Sequence, residues 1–93
     1  MNFTKHTLKK LEELIEILDY EILYGKGNFQ SGYCIVENQK KVVINRYFET
    51  EARINSLLDI ISQIEVDENL LDEKQLDYLG EVQKVIQERV EAE

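Results

Sequence analysis

Leu8, Leu11, Ile15, Leu18 and Ile22 recur at spacings of three and four residues, the pattern that places apolar side chains on one face of an α-helix. Leu14 and Ile17 widen the stripe, and Glu12, Glu13, Glu16 and Asp19 fall mainly on the other side. The spacing predicts a first helix that begins at Thr4 or Thr7 and runs to residue 23. Either Thr can serve as N-cap by accepting a bond from a free backbone N–H. Gly25 and Gly27 are expected to end this helix and open an irregular segment, residues 24–32, which holds three of the four glycines.

Two strands are expected next. Residues 33–37 place Tyr33 and Ile35 on one face and Cys34 and Val36 on the other, and residues 41–47 are rich in β-branched and aromatic side chains. Glu37-Asn38-Gln39-Lys40 suits the turn between them, because Asn tolerates left-handed backbone. A second helix follows from Glu49 or Thr50, marked by Ile54, Leu57, Leu58, Ile61 and Ile64, and residues 65–69 break it. Asp72-Glu73-Lys74-Gln75 has the form of a capping box and starts a third helix, which continues through Leu76, Leu79, Val82, Ile86 and Val90. Gly80 weakens that helix by about 1 kcal/mol relative to Ala, and its small size can admit a neighbouring helix.

The expected fold is therefore α+β, a single domain over residues 1–93: one helix, a two-stranded antiparallel hairpin, then two helices. A two-stranded hairpin is marginal in water and leaves its edges unpaired. Two copies joining hairpins into a four-stranded sheet would solve both problems, which makes a homodimer the expected assembly. The alternative is a monomer whose last helix folds over the hairpin.

The chain has 93 residues and a net charge of −8, which argues against a nucleic-acid partner, whose binding depends on neutralising phosphates. The charge is uneven. Residues 1–24 carry −2, residues 25–48 carry +3 through Lys26, Lys40, Lys41 and Arg46 against Glu37, and residues 49–93 carry −9. Edge strands often carry Lys to block aggregation, so the basic island has a structural explanation beside a functional one, an anion site at Lys26, Arg46 and the loop amides. The longest purely apolar run is four residues, Tyr33-Cys34-Ile35-Val36, so no membrane span is expected. A single Cys and no export signal suit a cytoplasmic location.

No catalytic constellation is complete. Gly25-Lys26-Gly27-Asn28 lacks the length and the Ser/Thr of a phosphate loop. Cys34 reads as a packing residue inside a strand, and nothing brings His6, the only histidine, near it. Asp72, Glu73, Asp77, Glu81, Glu88 and Glu91 lie on the third helix without the spacing of a calcium loop. No cofactor and no metal site are expected. Six of the eight aromatic residues flank the basic island: Tyr20, Tyr24, Phe29, Tyr33, Tyr47 and Phe48. The candidate binding surface is Tyr24, Lys26, Asn28, Phe29, Tyr33, Arg46 and Tyr47, since interfaces are enriched in Tyr and Arg.

Tyr24-Gly25-Lys26-Gly27-Asn28-Phe29-Gln30-Ser31-Gly32-Tyr33-Cys34, with Val42-Val43-Ile44-Asn45-Arg46, resembles a segment of a family of small uncharacterised bacterial proteins. The resemblance covers about the first two-thirds of the chain and rests on unspecific motifs. It implies a helix–hairpin–helix unit, no established activity and no catalytic residue. The expected function is a non-enzymatic protein-interaction or regulatory module acting as a homodimer. The alternatives are a small-anion or nucleotide-binding module at residues 24–48 and, more remotely, an enzyme using carboxylates or Tyr.

Overall fold

The computed structural model describes residues 1–26 and 32–92. The chain forms α1 (Lys5–Ile17), β1 (Glu21–Gly25), β2 (Tyr33–Val36), β3 (Lys41–Asn45), α2 (Thr50–Gln63) and α3 (Glu73–Ala92). Short 3-10 turns occupy Glu37–Gln39 and Glu68–Leu70. The strands make one mixed sheet in the order β1-β3-β2, with β1 parallel and β2 antiparallel to the central β3.

Thr4 caps α1, its hydroxyl accepting the Thr7 N–H at 3.3 Å. The helix then ends six residues earlier than its stripe predicts. Asp19 adopts a left-handed φ of 72°, its N–H donates to the Glu16 carbonyl at 3.0 Å, and the Tyr20 N–H donates to the Ile15 carbonyl at 3.2 Å. This is the Schellman arrangement, with Asp in the place that Gly usually takes. Ile15 and Tyr20, the two residues such an ending brings together, are both buried in the core. The chain is thereby released before Glu21, and residues 21–25 become a strand instead of a last helical turn. Gly25 lies in that strand and ends no helix.

Val42 and Ile44 of β3 are fully buried. The register places Ile22 and Ile35 beside Val42, and Tyr24 and Tyr33 beside Ile44, so one face of the sheet is apolar across all three strands. Leu8, Leu11, Leu14 and Ile15 of α1 and Ile54, Leu57, Leu58, Ile60 and Ile61 of α2 complete one core with it. Leu79 and Val82 attach α3 to the same core. The Asp72 N–H donates to Gln75 Oε1 and the Gln75 N–H to Asp72 Oδ1, both at 2.8 Å, so the capping box forms as its sequence predicts. Leu23 and Cys34 are exposed, on the face that strand alternation turns away from the core.

The α+β class and the three helices stand, and the sheet corrects the expectation of a two-stranded hairpin. The hairpin of β2 and β3 exists, but β1 covers the free side of β3, so the sheet does not need a second copy to gain a third strand. Both hairpin strands are shorter than expected, ending at Val36 and Asn45. The left-handed residue of their turn is Lys40, at φ 51°, in place of Asn38. Among the described residues no helix is long and apolar enough to cross a membrane.

Candidate functional site

Parallel pairing sets the carboxyl ends of β1 and β3 side by side. Gly25 lies beside Asn45, and the Arg46 N–H donates to the Gly25 carbonyl at 3.0 Å. Lys26 and Arg46, twenty residues apart, thus emerge from the same end of the sheet, and both are exposed. The other half of the basic island does not join them. Lys41 stands at the opposite end of β3, about 13 Å from Asn45 at the usual rise of a strand. Lys40 beside it pairs with Asp19 at 3.8 Å and lies over the Tyr20 ring at 5.7 Å.

Residues 46–48 form a turn held by several polar contacts. The Phe48 N–H donates to the Asn45 carbonyl at 3.1 Å, and the Tyr47 N–H to Asn45 Oδ1 at 3.0 Å. Arg53, one turn into α2, donates from Nε to the Phe48 carbonyl at 2.8 Å and from Nη2 to the Arg46 carbonyl at 3.0 Å. Its guanidinium also lies over the Tyr24 ring, 4.4 Å from the centroid. A planar, permanently charged fork can satisfy two carbonyls and stack on an aromatic at once, which a Lys ammonium cannot. On the far side of the turn, Gly32 has φ +84°, and a Cβ there would run into the Phe48 ring. Glycine is required both for the backbone angle and for the space.

Tyr24 supports the turn from below. Its hydroxyl donates to Glu12 Oε2 at 2.5 Å, joining β1 to α1. Burial raises the Tyr24 pKa, the Glu12 hydrogen bond and charge raise it further, and Arg53 opposes them. The phenol is therefore held protonated and donates a hydrogen bond; it is poorly suited to act as a base. Above the turn, the Arg46 guanidinium lies 5.1 Å from the Tyr47 ring centroid, and its Nη2 donates to the Tyr47 hydroxyl at 3.1 Å. Tyr47 is 64% exposed, the most exposed large apolar or aromatic residue described.

Of the seven residues expected to form the surface, Lys26, Arg46 and Tyr47 meet at this end, and Tyr24 lies beneath them. Tyr33 belongs to the packing between sheet and helix: its ring faces the core, and its hydroxyl accepts the Gln63 Nε2–H at 2.6 Å at the end of α2. Asn28 and Phe29 lie outside the described residues. Arg53 and Glu12 belong to the site and were not expected there. Each looks in the sequence like an ordinary polar position of an amphipathic helix, and only the parallel pairing of β1 with β3 gives them their roles.

Other chemistry-bearing residues are dispersed. Cys34 is exposed on β2, and His6 is exposed in the first turn of α1. Among the described residues, no three His, Cys, Asp or Glu side chains gather closely enough to hold a metal ion. No family model, no curated protein and no solved structure matches the chain.

Proposed function

We propose that the protein is a non-enzymatic binding module whose contact surface is the end of the sheet bearing Lys26, Arg46 and Tyr47, and that its partner is an acidic segment of another protein. One observation carries this: Arg53 fixes the carbonyls of Arg46 and Phe48, on either side of Tyr47, beneath an exposed Arg46–Tyr47 pair. Contacts of Arg and Tyr dominate protein interfaces, and they bind more tightly when already held in place. The Arg53 clamp removes part of the ordering cost of binding. Arg46 supplies donors for a carboxylate, Lys26 adds positive charge, and the Tyr47 ring offers an apolar face.

A small anion or nucleotide is the second reading, supported by the position of Lys26 and Arg46 at the carboxyl ends of paired parallel strands, where α/β proteins often bind such ligands. The commitment of Arg53 to two backbone carbonyls favours the peptide. NMR titration with a glutamate-rich peptide, inorganic phosphate and ATP separates the two. The peptide is expected to shift the amides of Lys26, Arg46 and Tyr47 saturably, and Arg46→Ala to abolish the response. Saturable shifts with phosphate or ATP and none with the peptide would select the second reading. No response at this end to any of the three overturns both.

A further inference from the structure

Strand β2 forms one edge of the sheet, and its residues Tyr33-Cys34-Ile35-Val36 contain neither a charge nor a proline, the usual devices that stop an edge from pairing. The opposite edge, β1, does carry a charge, at Glu21. The Asn45 N–H donates to the Gly32 carbonyl at 2.8 Å across the β2–β3 ladder. Antiparallel alternation from that bond turns the backbone of Cys34 and Val36 toward β3 and that of Ile35 outward. Among the described residues, cover is also thin on both sides of the strand. Ile35 and Val36 are only half-buried and Cys34 is exposed, because α1 and α2 pack over β1 and β3.

Charge at the two ends of the strand sets the direction of pairing. Glu37, just past β2, borders a groove lined also by Glu65, Asp67 and Glu68 around Lys40. The other end of the sheet carries Lys26 and Arg46. We propose that the β2 edge pairs antiparallel with β2 of a second copy about a two-fold axis normal to the sheet, giving a six-stranded sheet ordered β1-β3-β2-β2-β3-β1. Antiparallel pairing turns the Glu37 end of each copy toward the Lys26 and Arg46 end of the other, whereas parallel pairing would stack acidic on acidic. This assembly is independent of the binding reading of the Arg46 end. It replaces the joined two-stranded hairpins expected from the sequence with joined three-stranded sheets.

The axis passes beside Ile35, whose backbone faces outward. In this register the two Cys34 side chains project from the same face of the sheet, within about 10 Å of each other. A contact this short buries less than the roughly 800 Å² per partner of a standard stable interface, so association in the micromolar range is expected.

Cys34 is the chain's only cysteine, which makes it a specific reporter. Light scattering from micromolar to near-millimolar concentration is expected to show the mass rising from 11.0 kDa toward twice that value. A short bismaleimide should join two chains through Cys34. Cys34→Ser should still dimerise, while Cys34→Lys, which sets like charges beside each other at the axis, should stay monomeric with unchanged circular dichroism. A mass of 11.0 kDa at every concentration overturns the proposal. So does a dimer that neither crosslinks at Cys34 nor responds to Cys34→Lys.

Discussion

Both ends of β3 carry basic residues and use them differently. At the Lys41 end, the exposed Lys40 engages its own chain, pairing with Asp19 and lying over Tyr20. At the Asn45 end, Arg46 turns outward over an exposed Tyr47, and a different arginine, Arg53, fastens the turn from below. The basic island of the sequence is thus split, Lys40 and Lys41 at one end and Lys26 and Arg46 at the other, separated by the length of a strand. Position along a strand decides the role of a charge more than the local composition does.

The largest effect is expected from Gly32→Ala. The left-handed backbone angle and the Phe48 ring both oppose a side chain, so about 3 kcal/mol of stability should be lost. A urea midpoint that barely moves would show that the turn at the Asn45 end is not held as described. Arg53→Ala comes next, at about 2 kcal/mol for a charged donor serving two carbonyls. Arg53→Lys should recover little of it, since an ammonium cannot reproduce the fork and the stacking. Amide hydrogen exchange at Tyr47 and Phe48 should rise in both variants.

Tyr24→Phe removes the hydrogen bond to Glu12 and should cost about 1 kcal/mol at neutral pH. It should also change the alkaline limb of stability. The folded-state pKa of Tyr24 is raised above the unfolded value of 10.0, first by burial and then by Glu12. The unfolded chain therefore loses that proton first, and stability falls as pH climbs above 10.0 toward the folded pKa. Urea midpoints compared at pH 8 and pH 11 should fall less in Tyr24→Phe than in the parent. The smallest change belongs to the opposite end. Lys40 and Asp19 are both largely exposed, so Lys40→Ala should alter stability by no more than about 0.5 kcal/mol.

How far the sequence carries can be seen at particular residues. The helical stripe of α1, the start of α2 and the Asp72–Gln75 box were legible because each depends on spacing along a single element. β1 was hidden for two reasons. Ile22 continues the three-and-four rhythm of α1 while also alternating with Tyr24 as a strand requires, so the two periods coincide there. The stop signal is an Asp in left-handed backbone, where Gly is the usual mark of a helix end, so no glycine announces it in the sequence. Pairing β1 with β3 across twenty residues leaves no local mark, and the sorting of Lys26 with Arg46 and of Lys40 with Asp19 depends on it. Composition located the aromatic and basic segment of the candidate site, but it could not separate Tyr47, which is exposed, from Tyr20, which is buried.

The most direct test of the account compares binding in two single variants, Arg46→Ala and Lys40→Ala, with a glutamate-rich peptide as the probe and the parent as reference. Both remove one positive charge from the same basic island, so a purely electrostatic attraction would weaken equally. Arg46→Ala is expected to weaken binding at least tenfold in Kd, the equivalent of about 1.4 kcal/mol, while Lys40→Ala binds like the parent. Equal losses in the two variants, or a loss confined to Lys40→Ala, would contradict the account.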